Sequence, residues 1–196
     1  TYDDESGQYT YYTNQLVSSV KFHSPSINTL IYPKSKIDTD FQEKYRHILD
    51  QPRGGGFWLW KPKIILDVLN ELDNDDILIY LDSMYLCLEN LIPLFDKKID
   101  KTEIIVFSTK PRSRVYHMKN WCKMDVIQKY NMMDPVFREN ITDCWAGFLI
   151  FKKSDTTIAF VEEWLKMCCI GNDITDEPSG IPNCSEFIEH RHDQSM

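Results

Sequence analysis

Between Arg53 and Pro62 the chain reads RGGGFWLWKP, and no other stretch narrows its backbone so strongly. Glycine loses more backbone freedom on ordering than any other residue, so a run of three is kept where a backbone conformation or a close approach requires it. The two tryptophans bring large apolar rings that need cover and indole N–H groups that need acceptors. An ordered loop that binds something is the expectation. Further along, the apolar run Ile77 to Leu81 reads as a strand that delivers Asp82 to its C-terminal end, where an open α/β sheet presents ligand-binding groups.

With 196 residues, 42% of them apolar and 13% aromatic, the chain can bury a core and is expected to form a single domain over residues 1–196. Its formal charge of -8 argues against a nucleic-acid binder, which needs a clustered cationic surface. A local basic spot, Lys110 to Arg114 (KPRSR), could hold one phosphate group. No apolar run approaches the ~18 residues of a membrane span and no signal-peptide pattern is present, which favours a soluble, cytoplasmic location. The chain starts at Thr1 and stops after a dense polar cluster, and so reads as an excerpt of a longer protein. Its six cysteines, Cys87, Cys122, Cys144, Cys168, Cys169 and Cys184, show no CxxC or metal-finger spacing and are expected to pack as small hydrophobes. Two N-x-S/T tripeptides, at Asn140 and Asn183, are of a kind that arises readily by chance.

Periodicity predicts helices over Tyr9 to Phe22, Thr39 to Leu49 (capped by Asp38 or Thr39), from Pro62 through Leu72, Leu88 to Phe95, Lys123 to Tyr130 and Thr156 to Cys169. Strands are expected at Ile27 to Tyr32, Ile77 to Leu81, Ile104 to Phe107 and Ala146 to Phe151, with Ile77 to Leu81 central and buried on both faces. Ser108 to Lys119 reads as a polar loop and 171–181 as turn-rich. Alternating helices and strands imply an α/β class with a central, mostly parallel sheet flanked by helices.

Several residues could carry chemistry. Asp82 either caps the turn after its strand or coordinates a divalent cation or the ribose of a nucleotide. A diphosphate leaving group needs its charge neutralised, and Lys61 and Arg53 are the cations nearest the glycine loop. Trp58 and Trp60, if extended, would share a face and form an aromatic floor for a base or sugar ring; the alternative is core packing. The cluster Glu189 to Gln194 offers carboxylates and imidazoles: a metal ligand such as His192, or Asp193 with Gln194 orienting a sugar hydroxyl or acting as base.

The ordered set GGGFWLWKP, DDILIYLDS, NWCKMD, WAGFLIFKKS, EEWLKMC, ITDEP and FIEHRHDQS resembles a family of GT-A type, nucleotide-sugar-dependent glycosyltransferases of viral and bacterial glycan synthesis. The likeness runs from Arg53 to Gln194. In that family the strand-end triplet reads Asp-Ala-Gly or Asp-Ser-Gly; Asp82 and Ser83 match it and Met84 departs from it. The resemblance implies a single GT-A-like, Rossmann-like domain opening with a strand that contacts the nucleotide base, just before Thr1 or in the first few residues. For Asp82 and Ser83 it implies contact with the donor nucleotide or a metal, Mn2+ or Mg2+. It implies a place in the donor-site wall for Trp60 and Lys61, beside the donor sugar for Asp193 and Gln194, and on the acceptor side for Ala146 and Gly147.

The function expected is transfer of a hexose from a nucleotide-diphosphate sugar, with a UDP-sugar the first choice, to a hydroxyl of a glycan, lipid or protein. Asp82 would hold the diphosphate through a metal or through water, Lys61 and Arg53 would offset its charge, and Asp193 and Gln194 would position the sugar or its acceptor. Three alternatives remain: a catalytically silent sugar- or nucleotide-binding domain of the same fold, a structural subunit, and a sugar nucleotidyltransferase, which would want a glycine-rich activation loop near the N-terminus.

Overall fold

In chain order the protein forms β1 (Tyr2–Asp3), α1 (Gln8–His23), β2 (Tyr32–Pro33), α2 (Thr39–Lys44), α3 (Arg46–Leu49), α4 (Trp60–Glu71), β3 (Ile77–Leu81), α5 (Ile92–Phe95), β4 (Ile104–Ser108), α6 (Met118–Trp121), α7 (Met124–Lys129), β5 (Cys144–Lys152) and α8 (Asp155–Cys168). This computed structural model describes residues 1–96, 99, 102–108, 117–134 and 144–196, and the class is mixed α/β.

Local chemistry accounts for the helix ends. Ser24 closes α1 with its N–H on the Val20 carbonyl, and Pro25 follows. Asp38 caps α2 by accepting from the Phe41 N–H at 2.7 Å. The single helix expected over 39–49 is instead two, because Tyr45 lies near φ −110°, ψ 21°, outside the helical well. α4 carries Pro62 in its first turn, where the missing N–H has no partner to lose, and it buries Ile64, Ile65 and Leu69. The strand expected over Ile27 to Tyr32 shortens to Tyr32–Pro33, and the helix expected from Leu88 begins only at Ile92.

Among the described residues, the mostly parallel central sheet is not what forms. β1 and β2 make a parallel pair with Tyr2 opposite Tyr32, while a separate three-stranded sheet has the order β3-β5-β4. In it β3 runs antiparallel to β5, with Ile77 opposite Lys152 and Leu81 opposite Phe148. β3 is therefore an edge strand rather than the central one its apolar run suggests. That run has a different cause: all five β3 residues line an apolar cavity of about 440 Å³, together with Leu16 and Val20 of α1 and Ile65 and Val68 of α4. Strand direction leaves no mark in a run that is apolar throughout.

The chain divides into two compact units. The first comprises Thr1–Arg46, Lys63–Ile105 and Gly147–Val161. Its core holds Leu16, Val20, Leu81 and Cys87, with Ile27, Ile79, Leu91 and Phe148 packed against them. The second comprises His47–Pro62, Val106–Ala146 and Glu162–Met196. Cys122, Met124, Val126 and Ile127 form a core there, and the chain end is tied to it: the Ser195 hydroxyl donates to the Trp121 carbonyl at 2.6 Å and the Arg191 guanidinium lies 3.6 Å over the Trp121 ring. Lys123, only 4% exposed, donates its ammonium protons to the carbonyls of Asn172, Thr175 and Glu177 and so fastens that loop. Burial pulls its pKa below the usual lysine range.

The glycine run forms a helical turn, Gly54–Phe57, of unusual hand. Gly54, Gly55, Gly56, Phe57 and Trp58 have φ of 59°, 58°, 99°, 51° and 59°, so the backbone winds leftward, with the Phe57 N–H closing on the Arg53 carbonyl at 2.8 Å. Residues with a Cβ resist this conformation by about 1–2 kcal/mol each, and three glycines avoid that cost. Contacts enforce the choice as well. A Cβ on Gly54 would lie 2.4 Å from the Trp58 ring and one on Gly56 2.6 Å from the Leu49 Cα, whereas one on Gly55 would meet only the Trp60 Nε1 at 3.7 Å. Gly55→Ala is expected to lose about 1–2 kcal/mol from its backbone alone. Gly56→Ala is expected to lose more, because the Leu49 backbone cannot move aside; urea titration of both variants checks the order.

Candidate functional site

In the first unit, chemistry gathers where β3 ends. The Asp82 N–H donates to the Gly147 carbonyl at 2.9 Å, carrying the pairing with β5 one step past the strand. Tyr80, two residues earlier and hence on the same face, donates its hydroxyl to Asp82 Oδ1 at 2.6 Å. A Cβ on Gly147 would sit 2.6 Å from Asp82 Oδ2 and 3.0 Å from the Tyr85 ring. Glycine at 147 thus leaves the space in which the carboxylate lies. Beyond Asp82 the chain turns, with the Tyr85 N–H on the Asp82 carbonyl, and Met84, Leu86 and Leu88 are exposed.

Of the residues expected here, Asp82, its neighbour Ser83 and Gly147 come together. Ala146, expected on the acceptor side, is buried. Tyr80 and Tyr85 were missed. Strand alternation would have placed Tyr80 beside Asp82, whereas nothing in the pattern marks Tyr85.

The second unit holds the remaining candidates. Lys61 and Asp193 form an ion pair at 3.0 Å, their side chains only 3% and 5% exposed. Removing one member of such a pair strands a buried charge and typically costs about 3–5 kcal/mol. The Asp193 carbonyl accepts the Trp164 indole N–H at 2.9 Å. Cys168 lies fully buried, its thiol pKa pushed well above the ordinary range by burial and, in smaller part, by the Asp193 charge. Gln194 is half-buried, its N–H on the Arg191 carbonyl.

Arg53 reaches solvent but is engaged, with Asp176 at 3.1 Å and Glu189 at 3.0 Å. Asp176 also meets His192 Nε2 at 3.1 Å, so one carboxylate joins the glycine turn to the chain end; turn-rich sequence around it concealed that role. The His192 ring stacks on Phe57 at 5.1 Å and is buried, and burial lowers its pKa. His190 is buried too, accepts the Lys123 N–H at 3.4 Å, and has its pKa brought down to about 3 by desolvation.

The aromatic floor expected of Trp58 and Trp60 does not form. The segment is coiled rather than extended: Trp60 is 7% exposed at the start of α4, its indole N–H on the Gly54 carbonyl at 2.9 Å, and the Trp58 ring lies against His192. Among the described residues, no three His, Cys, Asp or Glu side chains are grouped to hold a metal ion. The basic spot at 110–114 and the tripeptide at Asn140 lie outside the described residues, while Asn183 accepts the Met124 N–H with its side chain. None of the six cysteines is joined in a disulfide, and Cys144 is exposed rather than packed.

No helix among the described residues is long and apolar enough to cross a membrane. No protein-family model, curated protein or solved structure matches the chain.

Two predictions follow from these placements. Gly147→Ala is expected to push the Asp82 carboxylate aside at a loss of about 1–3 kcal/mol, read by thermal and urea unfolding. For His190 the unfolded chain takes up a proton below its ordinary pKa of 6.5 while the folded chain refuses it until about 3, so stability falls as pH drops through that window. In His190→Asn, whose Oδ1 can accept the Lys123 N–H, the pH dependence of unfolding should be shallower by up to ~1.4 kcal/mol per pH unit.

Proposed function

We propose that this chain is a GT-A-like glycosyltransferase that moves a hexose from a nucleotide-diphosphate sugar, by preference a UDP-sugar, to a hydroxyl acceptor. The observation that carries this reading is the Asp82 carboxylate at the C-terminal end of β3, standing in space that Gly147 leaves open. The ordered motifs from Arg53 to Gln194 support it.

In the reaction the bond from the sugar's anomeric carbon to the diphosphate oxygen breaks, its electron pair leaving with the diphosphate. The acceptor oxygen bonds to that carbon and gives up its proton to the departing diphosphate or to water. Asp82 and Ser83 would bind the donor's ribose or diphosphate. Asp82 alone suits only a cation that completes its shell with diphosphate oxygens and water; such a cation, Mn2+ or Mg2+, would supply charge neutralisation for the leaving group. Arg53 is held by Asp176 and Glu189 beside the glycine turn. Lys61 and Asp193 are buried against each other and would act by holding the glycine turn and the chain end in place.

One observation favours a second reading, a catalytically silent sugar- or nucleotide-binding domain: Asp193, the candidate base, is closed to solvent by its pairing with Lys61. Donor turnover separates the two. Thermal unfolding is followed with UDP-, GDP-, CMP- and dTDP-sugars, each with and without Mn2+ or Mg2+, alongside UDP release in the presence of acceptor alcohols. A donor at ~100 times its Kd adds ~2.7 kcal/mol of stability. A shift selective for UDP-sugars, with UDP released, is expected for the wild type, and Asp82→Asn should lose both with little change in its own Tm. A shift without release favours the silent domain, and no shift with any donor contradicts both.

A further inference from the structure

We infer that Tyr80 is a positioning residue for nucleotide binding, fixing the Asp82 carboxylate so that it meets the donor in one orientation; this rests on the proposal that a nucleotide binds at Asp82. A carboxylate at a strand end can turn about its last bond, and each orientation it samples lowers the fraction able to bind. The Tyr80 hydroxyl removes that freedom. Its bond to Oδ1 is 2.6 Å long, within the range of a charge-assisted O–H···O contact. Tyr80 is itself held firmly, being 4% exposed and paired with Leu149 of β5. A Cβ on Gly147 would meet Oδ2 at 2.6 Å and the Tyr85 hydroxyl at 3.1 Å, so glycine there makes room for both. Oxygen Oδ1 is thus anchored from within the strand while the residues that follow, led by Met84 at 65% exposure, open to solvent.

The same unit contains a matched bond of different consequence. The Tyr32 hydroxyl donates to Asp67 Oδ2 at 2.8 Å, and Tyr32 is 3% exposed. There the carboxylate also pairs with Lys63, its neighbour on α4, at 2.6 Å. Both tyrosines spend a buried hydroxyl on a carboxylate, but only Asp82 stands at a strand end beside an exposed turn. Comparing the two separates a positioning role from the stability that any such bond contributes.

Calorimetric titration with UDP is run on the wild type, Tyr80→Phe and Tyr32→Phe, each well below its Tm. Both substitutions should lower Tm by similar amounts. Tyr80→Phe should weaken UDP binding about tenfold, the scale of one hydrogen bond to a charged group, and Tyr32→Phe should leave it unchanged. If the wild type binds UDP and Tyr80→Phe binds it equally well, the positioning role is overturned while nucleotide binding stands. If the wild type binds no UDP, the preference for a UDP-sugar fails and this inference fails with it.

Discussion

A left-handed turn is the constraint from which the second unit takes its arrangement. Once Gly54 to Trp58 wind leftward, the Trp60 indole comes back to the Gly54 carbonyl and α4 begins at a fixed point. Lys61 then lies one residue into that helix with its ammonium on Asp193. Phe57 and Trp58 hold a conformation that costs L-residues free energy, and their rings are held against His192 in return. Strain of this kind persists only where its surroundings over-determine it, and here both rings are seated against His192.

The buried Lys61–Asp193 pair changes what the chain end can do. A carboxylate sealed against an ammonium makes a poor proton acceptor but a firm anchor, and the bonds of Ser195 and Arg191 to Trp121 reinforce it. Chemistry in the proposed reaction therefore rests chiefly on Asp82, in the other unit, where a tyrosine hydroxyl and a side-chain-free residue define its surroundings. Electrostatic stabilisation of a leaving diphosphate demands groups fixed before the donor arrives, and at the end of β3 the Asp82 carboxylate is fixed by the Tyr80 hydroxyl.

Much of this was legible in the sequence. The run Ile77 to Leu81 was recognisable as a strand to the residue, because five apolar residues between an acidic turn and Asp82 leave little choice. The amphipathic stripes of α4 and α8 were equally clear. Direction and sheet order were not, since both depend on pairings distant in sequence: β3 meets β5 antiparallel and, among the described residues, lies at an edge. The glycine run announces an ordered backbone but not its hand, so sequence leaves open both an aromatic floor on an extended stretch and core packing of Trp58 and Trp60. Asp82 and Gly147 each stood out, yet their contact did not, because it is made by strand pairing. Lys61 and Asp193 read in the sequence as charges suited to a solvent-facing site; that they pair with each other is a fact of folding, which residue type cannot reveal.

The most direct test is a two-dimensional NMR titration of the isotopically labelled protein with a UDP-hexose. Amide shifts that include Asp82, Ser83 and Gly147 and saturate with donor are the expected result. Saturating shifts that leave these three amides unmoved, or no shifts at all, would contradict a donor site at the end of β3.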